Sequence, residues 1–166
     1  MPEKKTIERA RKDKQEGKSA STQAGEFVRE EMEHIREGKH GARSTKQAIA
    51  IGLSKARRAG VDLPPPKKGT TSEKTRKSAA RALKAGKKEA QRRPATKRSR
   101  ATSAALKREG RKAASSASLS KQARSAAAKR TREERSAAAK QAARTKGRAQ
   151  RSAAARKAAE TRAAQD

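Results

Sequence analysis

Large apolar residues are concentrated in one stretch of this chain, and there they follow a helical period. Val28, Met32 and Ile35, with Phe27 and Ala24 beside them, predict an amphipathic helix over residues 22–37. Gly38 offers a C-terminal stop, because glycine adopts the left-handed conformation that ends many helices. After the loop Lys39-His40-Gly41-Ala42-Arg43, the run Ser44-Thr45-Lys46-Gln47 has the capping-box pattern, a hydroxyl for an orphan N–H with a Gln three residues on. A second helix is expected from Thr45 to Ala59, stopped at Gly60, with Val61 as the apolar contact that follows a glycine stop. Leu63-Pro64-Pro65-Pro66 then favours extended chain.

The expected fold class is mostly α: a short helical hairpin over 22–63, then a long basic tail that is disordered or conditionally helical. Phe27, Val28, Met32 and Ile35 of the first helix and Ile49, Gly52, Leu53 and Ala56 of the second form the predicted packing set. Ala48, Gly52 and Ala56 recur at i, i+4 and i+8, a narrow stripe against which another helix can come close. Ile51 points away from that stripe, and a two-helix hairpin would leave it largely exposed. Units of about 40 residues rarely stabilise themselves without a partner. Pairing of two hairpins and a marginal monomer with one exposed Ile are both open.

The flanks lack this pattern. Residues 1–21 mix both charges, with Ile7 the one large apolar residue after Met1, and read as a frayed helix or coil. Residues 64–71 read as a linker. From Ser72 to the end, alanine, lysine and arginine dominate. Over 70–166 there are 30 Lys/Arg against 7 Asp/Glu, and Leu83, Leu106 and Leu119 are the sole apolar side chains larger than alanine. A loose repeat, Arg124-Ser-Ala-Ala-Ala-Lys129, Arg135-Ser-Ala-Ala-Ala-Lys140 and Arg151-Ser-Ala-Ala-Ala-Arg156, has unequal spacing and is compositional. Alanine, lysine and arginine favour helix, whereas like charges one turn apart repel. The tail is therefore expected to gain helix as phosphates neutralise it.

Charge narrows the function. The net charge is +30 over 166 residues, and the +23 excess over the tail would match the phosphates of roughly a dozen base pairs. The candidate DNA contacts are Arg43, Lys46, Lys55, Arg57, Arg58, Lys67 and Lys68 in and after the hairpin. In the tail they are Arg92, Arg93, Lys97, Arg98, Arg100, Arg124, Lys129, Arg130, Arg135, Lys140, Arg151, Arg156 and Lys157. Base readout requires side chains held in a groove by a fixed scaffold, and base stacking requires aromatics, of which Phe27 is the one example. Sequence-nonspecific phosphate neutralisation follows, with DNA ahead of structured RNA.

Enzyme chemistry finds no support. Without cysteine there is no disulfide, thiolate nucleophile or Cys-based metal site. His34 and His40, one late in a helix and one in a loop, read as incidental surface residues, so no metal or cofactor is expected. Glu30, Glu31 and Glu33 read as a solvated acidic helix face that phosphate would repel. The tail serines read as small polar spacers, with phosphorylation as the alternative. The longest apolar run, Ala48 to Leu53, is far short of a membrane span, and the N-terminus lacks an apolar leader. A cytosolic, nucleoid-associated protein is expected.

The stretch from Ala24-Gly25-Glu26-Phe27 through Ser44-Thr45-Lys46-Gln47-Ala48-Ile49-Ala50-Ile51 to Leu63-Pro64-Pro65-Pro66 resembles a family of small basic bacterial proteins built on a domain of unknown function, over about the first 80 residues. Members are often labelled DNA-binding, which the resemblance then implies here; it carries no catalytic residues. The tail is more loosely similar to the Lys/Ala-rich tails of linker histones and bacterial histone-like proteins. The resulting expectation is a non-enzymatic, histone-like DNA-compacting protein with possible self-association through the hairpin. An RNA- or ribosome-associated basic protein, and an adaptor whose hairpin docks a protein partner while the tail localises it on DNA, are the alternatives.

Overall fold

The computed structural model describes residues 2–87, 96–145 and 147–164. Among these the chain is all helical, with eight α-helices and no strand: α1 (Lys4–Gln15), α2 (Ala20–Arg36), α3 (Thr45–Arg58), α4 (Glu73–Gly86), α5 (Thr96–Lys107), α6 (Ser116–Ala128), α7 (Arg132–Thr145) and α8 (Arg148–Ala163), plus a 3₁₀ turn at Lys112–Ala114. The mostly α class holds. Of the expected single hairpin with a disordered or conditionally helical tail, the lone hairpin and the disordered alternative do not hold: α1 and α4 pack with α2 and α3, and the described part of the tail is helical. Contacts divide the chain into two compact units, one running to Ala123 and one from Arg124 onward.

The hairpin forms through the local chemistry its sequence carries. Ser44 Oγ accepts from the Gln47 N–H at 3.2 Å, and Gln47 Oε1 reaches back to the Arg43 N–H at 2.8 Å. This is a capping box shifted by one residue on its return arm. Gly38 and Gly60 adopt φ of +78° and +92°. Behind them Lys39 N–H donates to His34 C=O at 3.0 Å and Val61 N–H to Ala56 C=O at 3.1 Å. Both are glycine stops of the Schellman type, and Val61 turns inward behind the second.

The small-residue stripe on α3 lies against α2. Ala48, Gly52 and Ala56 are buried, and a Cβ added to Gly52 would stand 2.7 Å from Val28 Cα and 3.0 Å from Phe27 O. Gly52→Ala would drive a methyl into the α2 backbone. Overpacking of this kind costs about 1–3 kcal/mol, against roughly 1 kcal/mol recovered in helix propensity. A net loss of stability is expected in urea melts, with Ser54→Ala, on the half-buried side of the same helix, as the comparison; a stabilised Gly52→Ala protein would contradict this packing.

Two clusters make up the core. In one, Met32, Ile35, Ala42, Ala48, Ala113 and Ala114 are buried, with Val28, Ile49 and Leu119 packed against them. In the other, Ala10, Ala24, Phe27, Ala56 and Val61 are buried, flanked by Ile7, Ala20, Leu53, Ala59 and Leu63. Both draw on residues outside 22–63. The N-terminal segment is a docked helix rather than a frayed one: α1 buries Thr6 and Ala10, and Arg9 Nε meets Glu26 Oε2 of α2 at 2.5 Å. Ser19 caps α2, accepting from Thr22 N–H at 3.3 Å, which moves its start back to Ala20.

The segment expected to be tail also folds onto the hairpin. α4 packs along α3 and buries Ala79 and Ala82. Gly86 meets the Arg57 carbonyl so closely that a Cβ there would overlap it. With α2 on one side of α3 and α4 on another, Ile51 is half-buried rather than exposed. Farther on, the chain returns to the 39–45 loop. Gly41 N–H donates to Leu106 C=O at 2.9 Å and Ala42 N–H to Gly110 C=O at 3.2 Å. Thr45 Oγ1 donates to Ala113 C=O at 2.7 Å, and Arg36 Nε to Ala114 C=O at 3.0 Å.

In the second unit, α7 and α8 have exposed side chains over almost all their described length. Thr131 and Glu134 start α7 with a reciprocal capping box. Glu134 N–H donates to Thr131 Oγ1 at 3.2 Å, and Thr131 N–H to Glu134 Oε2 at 3.1 Å.

Candidate functional site

The cations divide by how they are held. Arg43 and Lys46, at the start of α3, are exposed, as are Arg58, Lys67 and Lys68 at and beyond its end. Lys55 and Arg57, which the sequence offered as phosphate contacts on the same helix, are turned inward. Arg57 is 6 % exposed, and its guanidinium donates to Leu63 C=O at 3.0 Å and Pro64 C=O at 3.1 Å. Burial pulls its pKa below the ordinary arginine value. Lys55 Nζ lies 2.6 Å from Glu31 Oε2 and 3.5 Å from Glu30 Oε1. α3 thus presents Lys46 and Arg58 at opposite ends, roughly 20 Å apart by helix rise, and no continuous basic face between them.

The tail cations are arranged differently. Lys97, Arg100, Arg124, Lys129, Arg130, Arg135, Lys140, Arg156 and Lys157 are all exposed. Arg92 and Arg93 lie outside the described residues; Arg98 and Arg151 fall on α5 and α8, and their side chains lie outside the description as well. Each Ser-Ala-Ala-Ala repeat lies on a helix, at the end of α6, in α7 and in α8. Cations five residues apart on a helix sit about 140° apart around its axis. Arg135 and Lys140 of α7 therefore spread charge around that helix instead of gathering it on one edge.

A second feature lies inside the hairpin, where the acidic face read as solvated is buried. Glu30 is 2 % exposed and Glu31 0 %. Glu30 Oε2 accepts from the Glu3 N–H at 3.1 Å. Glu30 Oε1 and both Glu31 oxygens are buried without a hydrogen-bond partner; Lys55 attracts them by proximity of charge, not through an aligned hydrogen bond.

The two histidines adjoin this cluster and are not surface residues. Their side chains are 14 % and 17 % exposed, and their rings meet edge to face with centroids 6.0 Å apart. His40 Nε2 lies 3.4 Å from Glu31 Oε1, while His40 Nδ1 faces Gly41 C=O at 3.1 Å. His34 Nε2 lies 2.9 Å from Glu3 Oε1. The contacts with His34 and Lys39 hold the Glu3 carboxyl below its ordinary pKa. One donor atom each from Glu31, His34 and His40 lies within 4.8 Å of the others. Sequence reasoning missed this grouping, although Glu31 and His34 are one helical turn apart and Gly38 folds His40 back toward them.

No helix among the described residues is long and apolar enough to cross a membrane. No curated protein and no solved structure matches the chain. Residues 11–68 match the model of a family of unknown function, DUF6496, a narrower span than the first 80 residues, running from within α1 to just past the prolines and taking in Glu31, His34, His40 and Lys55.

Proposed function

We propose that this protein binds nucleic acid without sequence specificity, DNA in preference to RNA, by neutralising backbone phosphates. The observation that carries the reading is the +23 excess over residues 70–166, together with the exposure of its described cations along α5 to α8. Charges spread around helices suit contact with phosphates from several directions, whereas base recognition calls for one face fixed in a groove. Alanine between the cations leaves the helix surface slim and offers no aromatic platform for stacking. The folded N-terminal unit supplies a scaffold, and a pair of such units would let two basic arms bridge duplexes and compact them in a nucleoid.

The test is a salt series. Binding of the full chain to a labelled duplex, followed by anisotropy, should weaken steeply with salt. About ten phosphate contacts correspond to a log–log slope near −9. Replacing Arg124, Lys129, Arg130, Arg135, Lys140, Arg156 and Lys157 together with Gln should reduce that slope by about 6 if all seven touch phosphate. An unchanged slope would overturn the assignment of affinity to these helices. Tighter binding to structured RNA than to duplex DNA at equal salt would overturn the preference.

A further inference from the structure

We propose that Glu31, His34 and His40 form a binding site for a divalent first-row transition ion of the Zn²⁺ type, independent of the basic helices. Glu31 and His34 sit three residues apart on α2, so they project from one side of the helix. His40 is brought to them by the chain reversal at Gly38, whose φ is +78°. The loop that carries His40 is pinned from behind, because Gly41 N–H donates to Leu106 C=O at 2.9 Å and Ala42 N–H to Gly110 C=O at 3.2 Å. The three donors thus rest on a helix and an anchored loop.

The hydrogen bonds around the cluster leave a deficit that a cation removes. A backbone carbonyl can only accept, so the contact between His40 Nδ1 and Gly41 O, at 3.1 Å, places that ring's proton on Nδ1. With its proton on Nδ1, the ring aims Nε2 at Glu31 Oε1, 3.4 Å away. That oxygen is fully buried and has no hydrogen-bond partner. Two acceptors then face each other, one of them on a carboxylate that is fully buried, beside imidazoles that keep a small exposure of 14 % and 17 %. Lys55 lies at 2.6 Å from the other Glu31 oxygen, Oε2, and so leaves Oε1 to the cluster. Glu3 Oε1, 2.9 Å from His34 Nε2, makes the carboxylate–histidine contact that commonly orients a metal-binding ring.

Donor chemistry selects the ion. Two imidazoles with one carboxylate suit Zn²⁺ and its neighbours, whereas Mg²⁺ and Ca²⁺ want oxygen ligands throughout. Tetrahedral coordination with bonds near 2.1 Å would set donor atoms roughly 3.4 Å apart. The His40–Glu31 pair already stands at that spacing, and the third donor, within 4.8 Å, closes by a side-chain adjustment. Three protein ligands would leave one position to water or to a group from elsewhere.

The competing explanation is a proton on His40 Nε2, which would make an ordinary buried charge pair with Glu31. Calorimetric titration of the chelator-stripped full chain with ZnCl₂ at neutral pH separates the two. One ion per chain is expected, with a rise in melting temperature on saturation. His40→Gln and His34→Gln, both checked for helicity by circular dichroism, should each weaken binding at least tenfold, while Glu33→Gln, a half-exposed carboxylate on α2 that pairs with Arg29, should not change it. Co²⁺ in place of Zn²⁺ should give the visible absorption of a low-coordinate site, lost in His40→Gln. No heat and no thermal shift with Zn²⁺ would overturn the proposal. So would equal affinity in a folded His34→Gln/His40→Gln double variant, which would mark the binding as adventitious.

Discussion

Lys55→Ala is expected to destabilise the folded N-terminal unit by about 3–5 kcal/mol, the usual cost of removing one partner from a buried ion pair. Its ammonium is the cation nearest to two carboxylates that are 2 % and 0 % exposed, at 3.5 and 2.6 Å. Removing it leaves Glu30 and Glu31 adjacent, charged and closed to water, with His40 alone beside them on the other side. A surface lysine would cost almost nothing to remove, so the size of the loss separates the two situations. Urea denaturation measures it, and a loss below about 1 kcal/mol would show that the cluster is open to solvent. Glu31→Gln should shrink the effect of Lys55→Ala, because the charge left unpaired by the lysine's removal is then partly absent. A double-mutant cycle would report that coupling directly.

Phe27→Ala carries a comparable expected loss, about 3–5 kcal/mol, for a different reason. Phe27 is the one aromatic residue of the chain and is 1 % exposed. It fills a space whose other buried walls are Ala10, Ala24, Ala56 and Val61. The alanines have no torsions with which to close a cavity, so relaxation is left to Val61 and the flanking Ile7, Leu53 and Leu63, and the part of the void they do not fill loses contacts. Because that cluster joins α1, α2 and α3, its loss should also loosen α1 from α2, visible as faster amide exchange in residues 4–15. Full retention of stability would mean that Phe27 is not the centre of this cluster. Phe27→Leu, keeping most of the volume, should recover much of the difference.

The elements that could be read from the chain are those whose signals are local. The Ser44 cap, the Gly38 and Gly60 stops and the inward turn of Val61 are each set by residues within five positions of one another. What escaped depends on neighbours distant in sequence or on residues too small to register as apolar. α1 docks through Thr6 and Ala10, and α4 through Ala79 and Ala82, leaving no hydrophobic period to detect. The return at residues 106–114 is held by backbone carbonyls, which every residue has. Glu30 and Glu31 looked like solvent-facing acids because the lysine that neutralises them arrives from another helix. The same holds for the histidines: each alone is unremarked, and their meaning comes from the Gly38 turn that brings them together. Exposure of the tail cations, in contrast, follows from composition.

The contacts that join the return segment to the hairpin also set an order of events in folding. The caps and stops of the hairpin join residues within five positions of one another, and Glu30 and Lys55 stand 25 residues apart. Thr45 and Ala113 are 68 residues apart, and Arg36 and Ala114 are 78 apart. Closing the first of those longer loops costs about 1 kcal/mol more entropy than joining Glu30 to Lys55, and long-range pairing is slow for the same reason. α2 and α3 are therefore expected to assemble before the return segment docks, with Ala42 and Ala48 still facing water. The Ala113–Ala114 turn is expected to dock after them and shut that end of the core. Until it docks, the chain would carry an open apolar end at Met32, Ile35, Ala42 and Ala48.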